Sequence, residues 1–369
     1  MKRNALQMIA ASLLIVALFA PFMPQISLSA QGDPTVNCLP NQPTPDCDTR
    51  AVYGSEMRAL AAEISANPTV TLPTLPVAEQ ELYRRAFRKV LEPTTIHDAP
   101  GGNVIGDFPQ GFIFVPAGVR SNGWVQIAAG QWVEESKLGP AGKSVSRFSG
   151  VLLPNGMPTT PFAWMLLDTK PSRTPGAKPL KETETVKRYT LVNIYAIAVV
   201  DSWEWYLIGQ DQWVLQTRVA KVKPTTRPAD IPAGRKWVSI DLYEQTLTAY
   251  EGDRPVFATL IASGLEQWGT TEGTFQVFQR LEATRMRGAI GQPEYWNLPG
   301  VPYTMFFNKD EQAIHGAYWH DLFGYRRSRG CINLSITDAK WVFEWSADQP
   351  DYYVNIFHSA KYRSGAPQQ

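Results

Sequence analysis

Two residues able to do chemistry together stand close in the chain. His315 lies in Ala313-Ile314-His315-Gly316, and Cys331 lies sixteen positions later in Ser328-Arg329-Gly330-Cys331-Ile332-Asn333, with a glycine beside each. A thiol is a strong nucleophile only as its thiolate, so acyl transfer through cysteine needs an imidazole near enough to take the proton. Four scattered histidines without paired carboxylates do not make a metal-ligand set, so neither metal nor cofactor is expected. His97 and His358 fall far from the pair in sequence and are read as non-catalytic.

The elements around the pair are readable. Residues 313–316 read as a strand end entering a loop, and 330–333 as the lead into a helix. Ser335 is the expected N-cap, Asp338 its box-like N3 partner, and Ala339, Val342 and Phe343 the buried face. A thiol just ahead of a helix start would face backbone N–H groups that favour thiolate and oxyanion alike. Upstream, 237–250 alternates apolar and polar residues as a half-buried strand and hairpin should, Glu251-Gly252-Asp253 is a turn, and 256–262 and 275–278 read as further strands.

Asp241, Gln245-x-Leu247, Tyr250, Ser263-Gly264, Thr271-x-Gly273-x-Phe275, His315-Gly316 and Ser328-x-Gly330-Cys331-Ile332-Asn333-Leu334-Ser335 occur in one order over 232–358. Together they resemble the L,D-transpeptidase (YkuD-like) catalytic domain. The resemblance implies a β-sandwich acting on peptidoglycan stem peptides. Such enzymes cleave the bond between the third residue of a stem tetrapeptide and its terminal D-Ala, form a thioester, and pass the acyl group to an amine of a neighbouring stem in a 3→3 cross-link. By matching positions Cys331 is the nucleophile, His315 the base and later the acid, and the Gly316 carbonyl orients the imidazole. The N–H groups of Gly330 and Cys331 would form the oxyanion site. Arg329 stands where the family often has His; it could lower the thiol pKa, bind a substrate carboxylate, or be a solvated loop residue. Ser328 and Asn333 could bind loop or substrate, Trp319 and His320 could line the donor pocket, and the loop 283–302 would cover the cleft as a lid, with contacts from Tyr295 or Trp296.

The rest of the chain reads as support. Trp124, Ile127, Gln131, Trp132 and Val133 line up with Trp205, Ile208, Gln212, Trp213 and Val214, and the turns Ala99-Pro100-Gly101 and Thr174-Pro175-Gly176 also correspond. The pattern resembles bacterial SH3-like modules, placed at 93–139 and 149–222. They would contact glycan or wall, or simply position the next domain, with the tryptophans in their cores. A Pro-rich linker covers 223–231, a Pro-rich and helical spacer 31–92, with helices expected at 55–67 and 77–91, and a tail 359–369. The expected class is mainly β: the sandwich, two small SH3-like barrels and a short helical N-terminal segment.

Lys2 and Arg3, an apolar run over 6–22 and Ser27-Leu28-Ser29-Ala30 have the layout of a signal peptide over 1–30, with an uncleaved membrane anchor as the alternative. A secreted, wall-associated protein follows. Cys38 and Cys47 could then close a small disulfide loop, contributing roughly 2–3 kcal/mol, and Cys331 is left over. Loss of Lys2 and Arg3 with the leader takes the formal charge from +1 to −1, so nothing points to nucleic acid. Competing classes are a non-enzymatic wall binder with a degenerate catalytic domain and an L,D-carboxypeptidase. A papain-like peptidase places Cys before His, and a sortase-like enzyme needs an Arg after its Cys, whereas Arg363 in the tail is the only arginine beyond Cys331.

Overall fold

Two six-stranded sheets face each other across the largest core. In the first, Gly273–Gln276, Tyr353–Phe357, Lys236–Asp241, Thr246–Glu251, Arg254–Leu260 and Val151–Leu152 lie side by side. In the second, Arg88–Lys89, Phe112–Val115, Trp296–Phe306, Ala313–Gly316 and Ile332–Leu334 follow in order, with Gln279–Gly288 also pairing with Trp296–Phe306. Val238, Ile240, Leu247 and Ala249 from one sheet meet Met305, Ile314, Ile332 and Leu334 from the other, and the helix Ile336–Trp345 adds Ile336, Ala339 and Val342. The computed structural model describes residues 57–66 and 70–359. The leader expected at 1–30, the pair Cys38 and Cys47, and nearly all of the tail lie outside the described residues.

The strand Lys236–Asp241 is buried on both faces, where the alternation predicts one. Val238 and Ile240 enter the sandwich core, while Trp237 stacks on Tyr250 on the far side, centroids 4.3 Å apart, beneath Ile231. The linker supplies that cover: Thr225 N–H donates to Tyr250 Oη at 2.9 Å, and Ser239 Oγ to Thr225 Oγ1 at 2.9 Å. It is a packed strap.

The Trp repeat holds at the level of local structure. Trp124–Ala128 with Gln131–Glu134, and Trp203–Gly209 with Gln212–Leu215, are antiparallel hairpins, each with a bulge at the equivalent place and a 3₁₀ turn after it. Closed barrels do not form among the described residues. Residues 93–139 contribute a five-stranded open sheet, and 149–222 two three-stranded sheets. Strands that could close them are taken elsewhere: Phe112–Val115 joins the second six-stranded sheet through Trp296 and Asn297, and Val151–Leu152 joins the first through Ala258 and Phe257. Each pairing satisfies backbone groups that closure would otherwise have used.

The helix expected at 55–67 is Met57–Ala66. That expected at 77–91 is Glu79–Arg84, after which Arg88–Lys89 pairs with Phe114 and Val115. A short amphipathic helix is marginal in itself, and tertiary pairing decides where it stops. Phe87 instead stacks on Tyr318 with ring centroids 4.4 Å apart, and Leu91 is exposed.

Candidate active site

His315 and Cys331 are brought together by a parallel strand pair. The register joins Ile314 to Ile332, His315 to Asn333 and Gly316 to Leu334. The strand begins at Ile332, and Cys331 stands one residue before it, its Sγ hydrogen-bonded from the Ala313 backbone and 4.0 Å from the Glu311 carbonyl oxygen. Side chains along a strand alternate, and those of directly paired residues share a face, so His315 and Asn333 lie on the face opposite Ile314, Ile332 and Leu334. The ladder thus sets the two residues on adjacent segments, His315 within one strand and Cys331 at the entry to its partner.

The loop before the strand is held by side chains. Ser328 Oγ donates to the Cys331 carbonyl at 2.5 Å and accepts from Gly330 N–H at 3.2 Å. Thr270 Oγ1 donates to the Gly330 carbonyl at 2.9 Å while accepting from Gly264 N–H at 3.0 Å. Gly330 has φ +113°, and a β-carbon there would come within 2.8 Å of Gln312 Nε2, so only glycine fits. Gln245 fixes the neighbouring turn, donating to Ser263 Oγ at 2.7 Å and accepting from Ser263 N–H at 2.9 Å. Gly330 N–H is thus engaged with Ser328, and an oxyanion role for it requires Ser328 to release it.

The helix starts where the sequence sets it, but not beside the thiol. Ser335 caps Ile336–Trp345, accepting from Asp338 N–H at 3.1 Å. The three-residue strand Ile332–Leu334 stands between the cap and Cys331, a span of roughly 10 Å. Helix-end electrostatics fall off within the first turn, so they do not act on the thiol. Asp338 does not complete the box either: its carboxylate accepts from Gly150 N–H at 2.8 Å and Thr259 Oγ1 at 2.6 Å, tying the helix to the first sheet.

Burial leaves both candidate groups neutral near pH 7. His315 is 2% exposed, and burial lowers its pKa to about 4, against a smaller raising effect of the Gly316 carbonyl. Its Nδ1 lies 3.2 Å from that carbonyl oxygen, which accepts if Nδ1 carries the proton; Nε2 then keeps its lone pair. Burial likewise pushes the half-buried Cys331 thiol up to about 11, partly offset by a hydrogen bond from the Ala313 backbone. A thiol and an imidazole both neutral near pH 7 suit base-assisted attack; a standing thiolate–imidazolium pair is disfavoured.

The other expected site residues separate. Asn333 is buried in the ladder and exchanges backbone hydrogen bonds with Ala262 at 2.9 and 3.0 Å. Trp319 has its ring centroid 5.6 Å from that of His315 and packs against two core clusters, so it walls the base. Tyr295 turns away: its carbonyl accepts from Phe112 N–H at 2.9 Å, and its ring packs on the core of the 93–139 sheet. Arg329 is exposed, donates to the Glu294 carbonyl at 3.0 Å and lies 4.4 Å over the Trp268 ring. The lid region is a long hairpin, Gln279–Gly288 with Trp296–Phe306, in which Met286 and Trp296 pack on the main core.

His320 has a firmer place than its sequence position suggests. Its Nδ1 accepts from Leu322 N–H at 3.2 Å, and its Nε2 lies 3.0 Å from the Asn333 amide nitrogen, while Asn333 Oδ1 has no partner. A neutral imidazole accepts at one nitrogen only. Exchanging the Asn333 amide O and N lets Nε2–H donate to Oδ1 and satisfies both groups. His320 therefore braces the strand residue paired with His315. The signal was a second histidine five positions on, but burial is what gives it meaning. The turn beyond it is held from the 149–222 segment: Arg188 Nη2 donates to the Asp321 carbonyl at 2.7 Å and Tyr189 Oη to its carboxylate at 3.0 Å.

Comparison with known proteins finds similarity over one domain. Residues 235–354 match the family model of the YkuD L,D-transpeptidase catalytic domain. The chain is 33% identical over 128 residues to the "Putative L,D-transpeptidase YciB" of Bacillus subtilis (strain 168), covering 31% of this chain and 63% of that protein. Among solved structures, it is similar to the catalytic domain of the E. faecium L,D-transpeptidase, with 25% identity, 34% of this chain and 98% of that one covered, and TM-score 0.30. An L,D-transpeptidase from Stackebrandtia nassauensis matches at 25% identity over 37% of this chain and 60% of that one, TM-score 0.27. The match to the L,D-transpeptidase family is therefore a match of one domain, residues 235–354, which contains His315 and Cys331.

Proposed function

We propose that this protein is an exported peptidoglycan L,D-transpeptidase in which Cys331 and His315 carry out acyl transfer between stem peptides. The observation that supports the reading is the parallel register pairing His315 with Asn333, which brings the His315 strand alongside the segment that Cys331 enters, with the imidazole Nδ1 beside the Gly316 carbonyl. As Cys331 Sγ attacks the carbonyl of the third stem residue, its proton passes to His315 Nε2. The tetrahedral adduct collapses, the C–N bond to D-Ala breaks, and His315 returns the proton to the departing amine. An amine of a second stem then attacks the thioester, His315 takes its proton, and the thiol leaves with that proton restored. Each step begins and ends with a neutral pair, as the lowered imidazole and raised thiol pKa values favour. Donors able to meet the developing oxyanion contribute about 2.7–4 kcal/mol each, and Cys331 N–H is the first candidate because Gly330 N–H is held by Ser328.

The 93–139 and 149–222 segments act chiefly as scaffold, one pairing with the hairpin and the other fixing the turn at Asp321. The test is incubation of the purified protein with disaccharide tetrapeptides. Release of D-Ala with a dimer linked between two third residues supports the reading. Release of D-Ala with tripeptide alone assigns the carboxypeptidase reaction, and intact tetrapeptide with a folded protein assigns a binder.

A further inference from the structure

We propose that Arg329 is a positioning residue that clasps the tip of the hairpin 279–306 to the loop carrying Cys331, and so sets how open the thiol is. The proposal rests on the reading of Cys331 as the reactive thiol.

The hairpin connects the two halves of the site. At its base, Met305 pairs with Ile314 and Phe306 with Ala313, on the strand that bears His315. Along its length the Pro299 carbonyl accepts from Tyr318 Oη at 2.7 Å. At its tip, Glu294 meets Arg329, two residues before Cys331. A movement of the tip relative to this loop therefore changes access to the thiol.

The tip is held at two adjacent residues by contacts of different strength. On one side Phe112 N–H donates to the Tyr295 carbonyl, and Phe112 and Ile113 continue as parallel partners of Trp296 and Asn297. This is a ladder with a buried flank, since Ile113 is fully buried. On the other side stands one exposed guanidinium. It rests on Trp268, whose turn is fastened to the Cys331 loop, where Leu265 N–H donates to the Ser328 carbonyl at 2.9 Å, and to the residue before the His315 strand, where Gln312 Nε2 donates to the Gly269 carbonyl at 3.2 Å. Arg329 thus has a platform on the loop side and reaches across to the hairpin.

A planar guanidinium can stack on an indole and donate from its edge at once, whereas an ammonium cannot do both with one geometry. The contact is exposed and single, so it can open while the ladder at Phe112 persists. Removal of the clasp, with the ladder intact, leaves the hairpin attached and its tip looser.

The experiment uses the full chain and reads two quantities: the rate of Cys331 alkylation by iodoacetamide, by intact mass, and amide hydrogen exchange at residues 294–297. Arg329→Ala is expected to raise alkylation roughly three- to tenfold, the range a lost charged hydrogen bond and ring contact implies, and to speed exchange at the tip. Trp268→Ala should do the same by removing the platform. Arg329→Lys should resemble Arg329→Ala. An electrostatic role beside the thiol predicts the opposite pattern, slower alkylation in Arg329→Ala and a normal rate in Arg329→Lys, and either that pattern or unchanged rates with unchanged exchange would overturn the clasp. Alkylation needs no peptidoglycan, so failure of the clasp and failure of the transpeptidase reading are seen separately.

Discussion

The thiol of Cys331 should ionise late, and the consequence for its reactivity can be worked out. Burial pushes its pKa up to about 11 from the ordinary 9.0. At pH 8 the thiolate fraction is then about one in a thousand, against about one in ten for an unperturbed thiol, a loss of roughly a hundredfold. A more basic thiolate is also a better nucleophile, with a sensitivity near 0.4–0.5, which returns about tenfold over two units. Net alkylation at pH 8 should be about tenfold slower than for a free thiol, and should keep rising with pH toward 11. Stopped alkylation by iodoacetamide between pH 6 and 10.5, followed by intact mass, reads this directly. A plateau below pH 9 would mean a standing thiolate stabilised by His315 or Arg329, and the neutral-pair argument would be wrong.

Three further outcomes follow from the same geometry. Because the folded His315 pKa is lowered to about 4, the acid limb of kcat/KM for the free protein should lie near pH 4, well below the 6.5 of an ordinary histidine, and His315→Ala should reduce kcat/KM by roughly 10²–10⁴-fold. Ser328→Ala removes the bonds to the Cys331 carbonyl and Gly330 N–H, so urea denaturation should show a loss of about 1–3 kcal/mol together with slower acylation; unchanged stability and rate would deny the loop brace. Asp338 is buried with its pKa raised to about 6 from 3.8, so its contribution is fully present below about pH 4 and is lost as pH rises through 6. Asp338→Asn, whose amide can accept from Gly150 and donate to Thr259, should flatten that part of the stability–pH curve, and an identical slope in both proteins would refute the assignment.

The candidate residues are legible because they sit in local signals. His315-Gly316 and the Ser328-to-Ser335 run stand in contiguous sequence, the Ser335 cap is one residue from its helix, and the strands Thr246–Glu251 and Arg254–Leu260 announce their hairpin by the turn at Gly252. Contacts between distant segments left no such trace. Nothing in Phe112–Val115 says that it will pair with Trp296 and Asn297 rather than close a barrel, since a strand edge offers the same donors and acceptors to any partner. Asp338 has the spacing of a capping box, yet Gly150, distant in the chain, takes its carboxylate. Tyr295 carries the composition of a binding residue and is spent on docking, while His320 has the composition of a bystander and braces Asn333. Types and spacing identify what could react; burial and register decide which side chains remain free to do so.

The most direct measurement is the intact mass of the protein after incubation with a carbapenem, beside a Cys331→Ala control of equal fold. The account predicts one acyl adduct on the wild-type chain, mapped to the peptide holding Cys331 and absent from the control. A folded wild-type protein with no adduct, or an adduct that persists without the thiol, would contradict it.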